Sequence, residues 1–330
     1  MFFSCNKTLY REIATLQTIK NVYDNKVTSY TIHNVLNGIK NDPAVIRDDS
    51  KEWYKNGKCH RDENGRVLPA AIWNNGTQCW YKNGELHRND LDENGKVLPT
   101  FIWCNDIQYW YRNGKIHRDE RGENGRVLPA VKSNGYQFWY KNGEKHRDDL
   151  DENGRVLPAY INSNGDLYWY RNGKQHRDDL DENGRVLPAY INSNGTRDWY
   201  TDGKLHRDDL DEKGRVLPAR IFSNGDKHWF KNGKCHRDDT DENGRVLPAV
   251  IYIDVSRSWW KNGERHRDDL DDKGKTLPAE IWNDGSRFWW RNGERHRDDL
   301  DENGKILPAI IWCDGGQEWY MNGKQEWRIK

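Results

Sequence analysis

The stretch "HRDDLDENGRVLPA", His176 to Ala189, carries residues of three different chemistries. His176-Arg177-Asp178 followed by Asn183 has the H-R-D-x-x-x-x-N spacing of a kinase catalytic loop, where the Asp orients a hydroxyl and the Asn holds a magnesium ion. Asp179, Asp181, Asn183 and Gly184 have the spacing of the front of a calcium loop, where alternate oxygen ligands converge on one ion. Glu182-Asn183-Gly184-Arg185 between two apolar arms also fits a plain hairpin turn.

The kinase spacing recurs at His117, His146, His176, His236 and His296. An active site occurs once per domain, so a motif repeated at this beat is architecture. No V-A-I-K strand, Asp-Phe-Gly or Gly-rich phosphate loop accompanies it. The calcium spacing is intact from Asp90, Asp149, Asp179, Asp239 and Asp299. The twelfth position, where a bidentate Glu belongs, is Tyr190 in the third of these. Two copies place Lys213 and Lys273 at the fifth position, and "ERGENG" has lost both Asp. A polar hairpin tip explains more of this variation than a calcium site does, so calcium is disfavoured but stays open. Nine histidines share one slot. Neighbouring copies of a slot lie roughly 10–14 Å apart in a sheet with two or three strands per repeat, and zinc needs ligands at about 2 Å. A histidine column therefore cannot share a zinc, and each imidazole is expected to bond its own Asp or backbone. No Ser/His/Asp or Cys/His nucleophile stands out, and no catalytic residue, cofactor or metal is expected.

The elements that hold these residues repeat. A Trp followed by an aromatic occurs at Trp53, Trp80, Trp110, Trp139, Trp169, Trp199, Trp229, Trp259, Trp289 and Trp319, with steps of 27, 30, 29 and then 30 six times. Asn-Gly or Asp-Gly follows each, as in "WYRNGKQHRDD", and supplies the positive φ angles of tight hairpins. One repeat reads as short extended pieces, "PAYIN", "LYWY" and "QHRDD", joined by the turns "SNG", "RNGK" and "LDENG". Length changes fall in turns, where chains tolerate them. No helical period appears after residue 40. Before it, Leu9, Ile13 and Leu16 keep helical spacing. The expected architecture is all-β: an elongated antiparallel β-hairpin array of nine to ten units over 43–330, closed by an N-terminal cap over 1–42 that contains a short helix and blunts the sheet edge.

Alternation sorts the faces. Ala159 and Ile161, with their counterparts Ala189/Ile191 to Ala309/Ile311, predict a buried stripe. The slots of Tyr160 and Asn162 vary and predict an outward face. The Asn162 slot holds Trp73 and Trp103 early, Asn in the middle, then Phe222, Tyr252, Trp282 and Trp312. Those six aromatics are the candidate partner-binding residues, since rings anchor interfaces. The Trp and its following aromatic must point to opposite faces, so either both faces are partly covered or the sheet curls.

Composition bounds the function. Only 34% of the 330 residues are hydrophobic, yet there are 17 Trp and 16 Tyr, so burial is aromatic and shallow. Lys plus Arg equals Asp plus Glu at 53 each, which argues against nucleic-acid or anionic-membrane partners. The six cysteines form no C-x-x-C pair. No stretch approaches 18 apolar residues and "MFFSCNK" is a poor secretory start, so neither a transmembrane segment nor secretion is expected.

The Tyr-x-Asn-Gly-Lys core, in "WYKNGK" and "WYRNGK", resembles the MORN class of β-hairpin repeats. The fuller pattern, with His-Arg-Asp and Leu-Pro-Ala, resembles a variant found in marseillevirus-like large DNA viruses. The resemblance covers roughly residues 43–325, with a longer period than standard MORN units and an inserted "LDENGR" turn. It implies a non-enzymatic scaffold that binds other proteins, capsid proteins among them, located in the virion or the host cytoplasm as a minor capsid-associated component. The alternative is an aromatic-repeat module for choline, glycan or lipid, because Trp-Tyr with Asn-Gly is also similar to the repeats of choline- and glucan-binding proteins.

Overall fold

The computed structural model describes residues 42–63 and 66–329, with the backbones of the strands Ile19–Tyr23, Val27–Ile32 and Val35–Leu36 before them. The protein is all-β, an antiparallel sheet with hairpins at about 30-residue spacing. It falls into two compact units, residues 1–149 and 150–330. The short helix expected around Leu9 to Leu16 lies outside the described residues. Strand Val27–Ile32 pairs with Val45–Ile46, so the first array strand has a neighbour on its N-terminal side.

Each repeat gives two short strands to its sheet. In the second unit Tyr160–Ile161 pairs with Leu167–Tyr168, which pairs in turn with Tyr190–Ile191 of the next repeat. The same alternation runs on to Ile310–Ile311 and Gln317–Met321. The first unit repeats it from Ala71–Trp73 to Tyr136–Phe138. "LYWY" therefore does not form one strand. Leu167–Tyr168 belongs to the sheet, Trp169 turns the corner, and Tyr170–Arg171 pairs with Lys174–Gln175 as a separate side hairpin. Its Asn172 and Gly173 have φ of 49° and 77°, as a two-residue turn of this hand demands. The "LDENG" segment is the tip of a second small hairpin, closed by a bridge between Leu180 and Val186.

The faces differ from the alternation reading. The alanines are fully buried as expected. Ile161 and its counterparts are only half-buried, whereas on the supposedly outward face Ile310, Val250 and Phe288 are fully covered. The reason is the side hairpin. It folds back so that its first residue lies against that face: Phe138 and Tyr140 centroids are 6.3 Å apart, and Trp260 Nε1 donates to Ser258 Oγ at 2.7 Å. On the opposite side Trp289 and Trp319 line one cleft with Arg287, Ile311 and Gln317. Both faces are thus partly covered, which accommodates a large ring at each position of the Trp-aromatic pair.

Candidate functional site

The His-Arg-Asp-Asp segment joins one repeat to the previous one. Arg177 lies over the Trp169 ring at 4.0 Å and donates through Nε to Asp179 at 2.7 Å and through Nη1 to the Pro188 carbonyl at 3.2 Å. Both oxygens of Asp179 accept from the Val156 amide, at 3.0 and 3.1 Å. The Trp169 indole donates to the carbonyl of the same Val156 at 2.7 Å. One repeat thus satisfies both backbone groups of a residue in the repeat before it, which a buried chain requires. The arrangement recurs at Arg207, Arg237, Arg267 and Arg297. In "ERGENG" Glu120 takes the part of the lost Asp, accepting from Val97 and Arg118. Burial pushes the Arg177 guanidinium below its ordinary value, and the hydrogen bond to Asp179 opposes it.

Asp181 and the imidazoles of the segment are also engaged. Asp181 accepts from the Asn183 and Arg185 amides at 2.9 Å each, closing its own turn. In Asp211 the backbone bond from Arg215, helped by its side chain, brings the carboxyl down to about 2. His176 Nδ1 accepts from the Asp202 amide of the next repeat at 3.1 Å, and Nε2 lies 2.6 Å from Asp178. His206, His236, His266 and His296 reach forward in the same way. The hairpin reading of "HRDDLDENG" accounts for each of these groups. The five described cysteines are free thiols, and burial pushes Cys235 up to about 12.

The six candidate aromatics each begin the four-residue turn between the two sheet strands. Trp103, Tyr252 and Trp282 are 39%, 38% and 39% exposed; Trp73, Phe222 and Trp312 are partly buried. In the second unit Trp282 and Trp312 lie 4.6 and 5.3 Å from Phe288 and 6.0 Å from each other, while Phe222 and Tyr252 flank His228 at 4.9 and 5.9 Å. In the first unit Trp103 lies 5.5 Å from Phe101. The structure also shows why the slot accepts both Asn and Trp. Asn162 caps its own turn, accepting from the Asn164 and Asp166 amides. Where the slot holds a ring, the residue two places on takes over: Asp284 accepts from Ser286, and Asp314 from Gly316. Acceptance of Asn therefore does not mark the slot as dispensable to packing.

Sequence reasoning passed over one neighbour of this slot. "YIDV" replaces "NSNG" in the repeat after Phe222, leaving Ile253 and Val255 at 67% and 72% exposure on either side of Asp254. Val255 has φ of 67°, in a position where Gly165, Gly195, Gly225, Gly285 and Gly315 serve the other repeats of this unit. A β-branched residue in the left-handed region is strained. The missing Gly was visible in the sequence.

No protein-family model matches the chain, and no curated protein matches it; the residues themselves establish a β-hairpin repeat array with a period of roughly 30.

Proposed function

We propose that this chain is a non-enzymatic scaffold that docks another protein on the aromatics at the turn edge of its sheet. The observation that carries the reading is a contrast between rings. The corner tryptophans, repeated in every unit, are buried, yet the variable slot leaves Trp103, Tyr252 and Trp282 more than a third exposed. Half-covered Trp and Tyr are favoured anchors. The groups that suggest chemistry, from His176 to Asp181, are engaged in structural bonds, some within the repeat and some to its neighbours. The finer reading, a minor capsid-associated component of a large DNA virus with capsid proteins as partners, follows from the sequence resemblance alone.

The choline, glycan or lipid alternative is weakened by the ring spacing. Tyr160, Tyr168 and Tyr190 stand 4.8 and 4.6 Å apart, which leaves no room for a ligand between them. The test is the double variant Trp282→Asn, Trp312→Asn, using the residue found at Asn162 and Asn192. Cross-linking mass spectrometry on the native assembly identifies the wild-type partner. The double variant is expected to melt cooperatively and lose that cross-link. A folded variant that keeps its partner removes the slot from the interface, and one that unfolds assigns the rings to the core. A shift of tryptophan fluorescence on adding choline, glucan oligosaccharide or lipid vesicles would favour the alternative.

A further inference from the structure

The chain is electrically neutral and shows no run of like charge, yet folding builds one. In the second unit the cross-strand register runs Ile191, Arg197, Ile221, Lys227, Ile251, Arg257, Ile281, Arg287, Ile311, each residue directly opposite the next. The four cations are exposed and the isoleucines between them half-buried. Among the described residues none of the four forms an ion pair. They stand two strands apart, about 10 Å, and the row spans roughly 29 Å. The same slot holds Gln78, Gln108 and Gln137 in the first unit and Gln317 at the end of the second. The fold therefore accepts a neutral side chain here, and the charge is not a structural requirement.

A second row has the same period and the opposite character. The tip hairpins carry Glu152, Glu182, Glu212, Glu242 and Glu302, all exposed and, among the described residues, in no ion pair; the slot between the last two holds Asp272, also exposed, which pairs with Arg245. Two positions before the tip stand Leu150, Leu180, Leu210, Leu270 and Leu300, each about half exposed. Successive tips are tied together through bonds such as Val186 to Asp209, so they advance with the sheet, one step per repeat.

We propose that a second copy of this chain docks on this sheet face, its leucine and glutamate row lying along the isoleucine and cation row. Two rows cut from one repeat keep step with each other over several repeats, a match that an unrelated partner reaches only by coincidence. The isoleucines decide between partners: a nucleic-acid backbone would meet the cations but leave that apolar column uncovered, whereas the tip leucines cover it. Each pair alone is weak, and the strength comes from four or five made together. This self-contact uses neither the aromatic slot nor its partner, so either reading can fail without the other.

Sedimentation velocity on the full chain tests it. The wild type is expected to self-associate at low salt, and to weaken about tenfold or more as salt rises towards 1 M, where screening acts within about 3 Å. A variant with Arg197→Gln, Lys227→Gln, Arg257→Gln and Arg287→Gln is expected to stay monomeric with an unchanged melt. Two further variants, one with these four changed to Glu and one with Glu152→Lys, Glu182→Lys, Glu212→Lys and Glu242→Lys, should each be monomeric alone and associate with each other when mixed. A wild type that is monomeric at every concentration overturns the proposal, as does a Gln variant that associates normally. A monomeric wild type that binds poly-glutamate on this row overturns it in favour of a different acidic partner.

Discussion

At the scale of single residues, the strongest constraint is the Arg–carboxylate pair against each corner Trp from Trp53 to Trp289. Arg207 and Asp209 side chains are 7% and 11% exposed, and Asp209 also holds the Val186 amide. Removing one partner of such a pair strands a buried charge, at a cost of about 3–5 kcal/mol. Asp209→Ala should therefore destabilise the protein by that amount in urea unfolding. A loss below about 1 kcal/mol would place the pair with ordinary surface ion pairs. The segment was legible as a recurring motif. Its role was not, because the bonds that define it reach 22 or 23 residues back.

At the scale of elements, the turns are the most predictable part and also hold a clear exception. Asn-Gly turns adopt the positive φ values expected of them, from Asn56 to Asn322. Val255 takes a similar angle without the freedom of Gly. The left-handed conformation costs an ordinary residue about 1–2 kcal/mol. Val255→Gly should raise the stability by about 1 kcal/mol, read as a higher melting midpoint, since little packing is lost at so exposed a site. A lower midpoint would mean that the Val255 side chain supports the turn by contacts of its own. The strands are less legible than the turns. Most have only two residues, too few for alternation to say which face a neighbouring hairpin will cover. The variable slots are filled by compensating pairs instead: Asp198 is buried against Arg220 across the strands, and Glu280 meets the indoles of Trp282 and Trp290.

At the scale of the whole molecule, shifted groups in different repeats act in the same direction. His87 lies below its ordinary value, mainly through burial and then through Lys82, so the folded chain resists protonating it. Its contribution is complete above about pH 6.5 and is lost as pH falls through the lowered value. Asp148, Asp238 and Asp298 are lowered first by Lys141, Lys231 and Arg291 respectively, and Asp211 is brought to about 2. These carboxylates contribute fully above about pH 3.9 and lose that contribution as pH falls towards their lowered values. Both kinds of shift have the same sign. Thermal midpoints should be level from pH 8 to 7, decline slightly below 6.5 and fall steeply below 4. A midpoint that rises on acidification from pH 7 to 5 would contradict this.

The sequence by itself determined the period, the turns and the all-β class. Each of these is a local property: Asn-Gly, Pro and the spacing of Trp act on residues next to them in the chain. Only the tertiary structure decided which face is covered, what the histidines and aspartates bond to, and where charge accumulates. Those depend on residues about one repeat apart in sequence that the sheet sets side by side. Arg197, Lys227, Arg257 and Arg287 are separated by 30 residues at each step, so they form no charge run in the chain. Strand pairing brings them about 10 Å apart on one face.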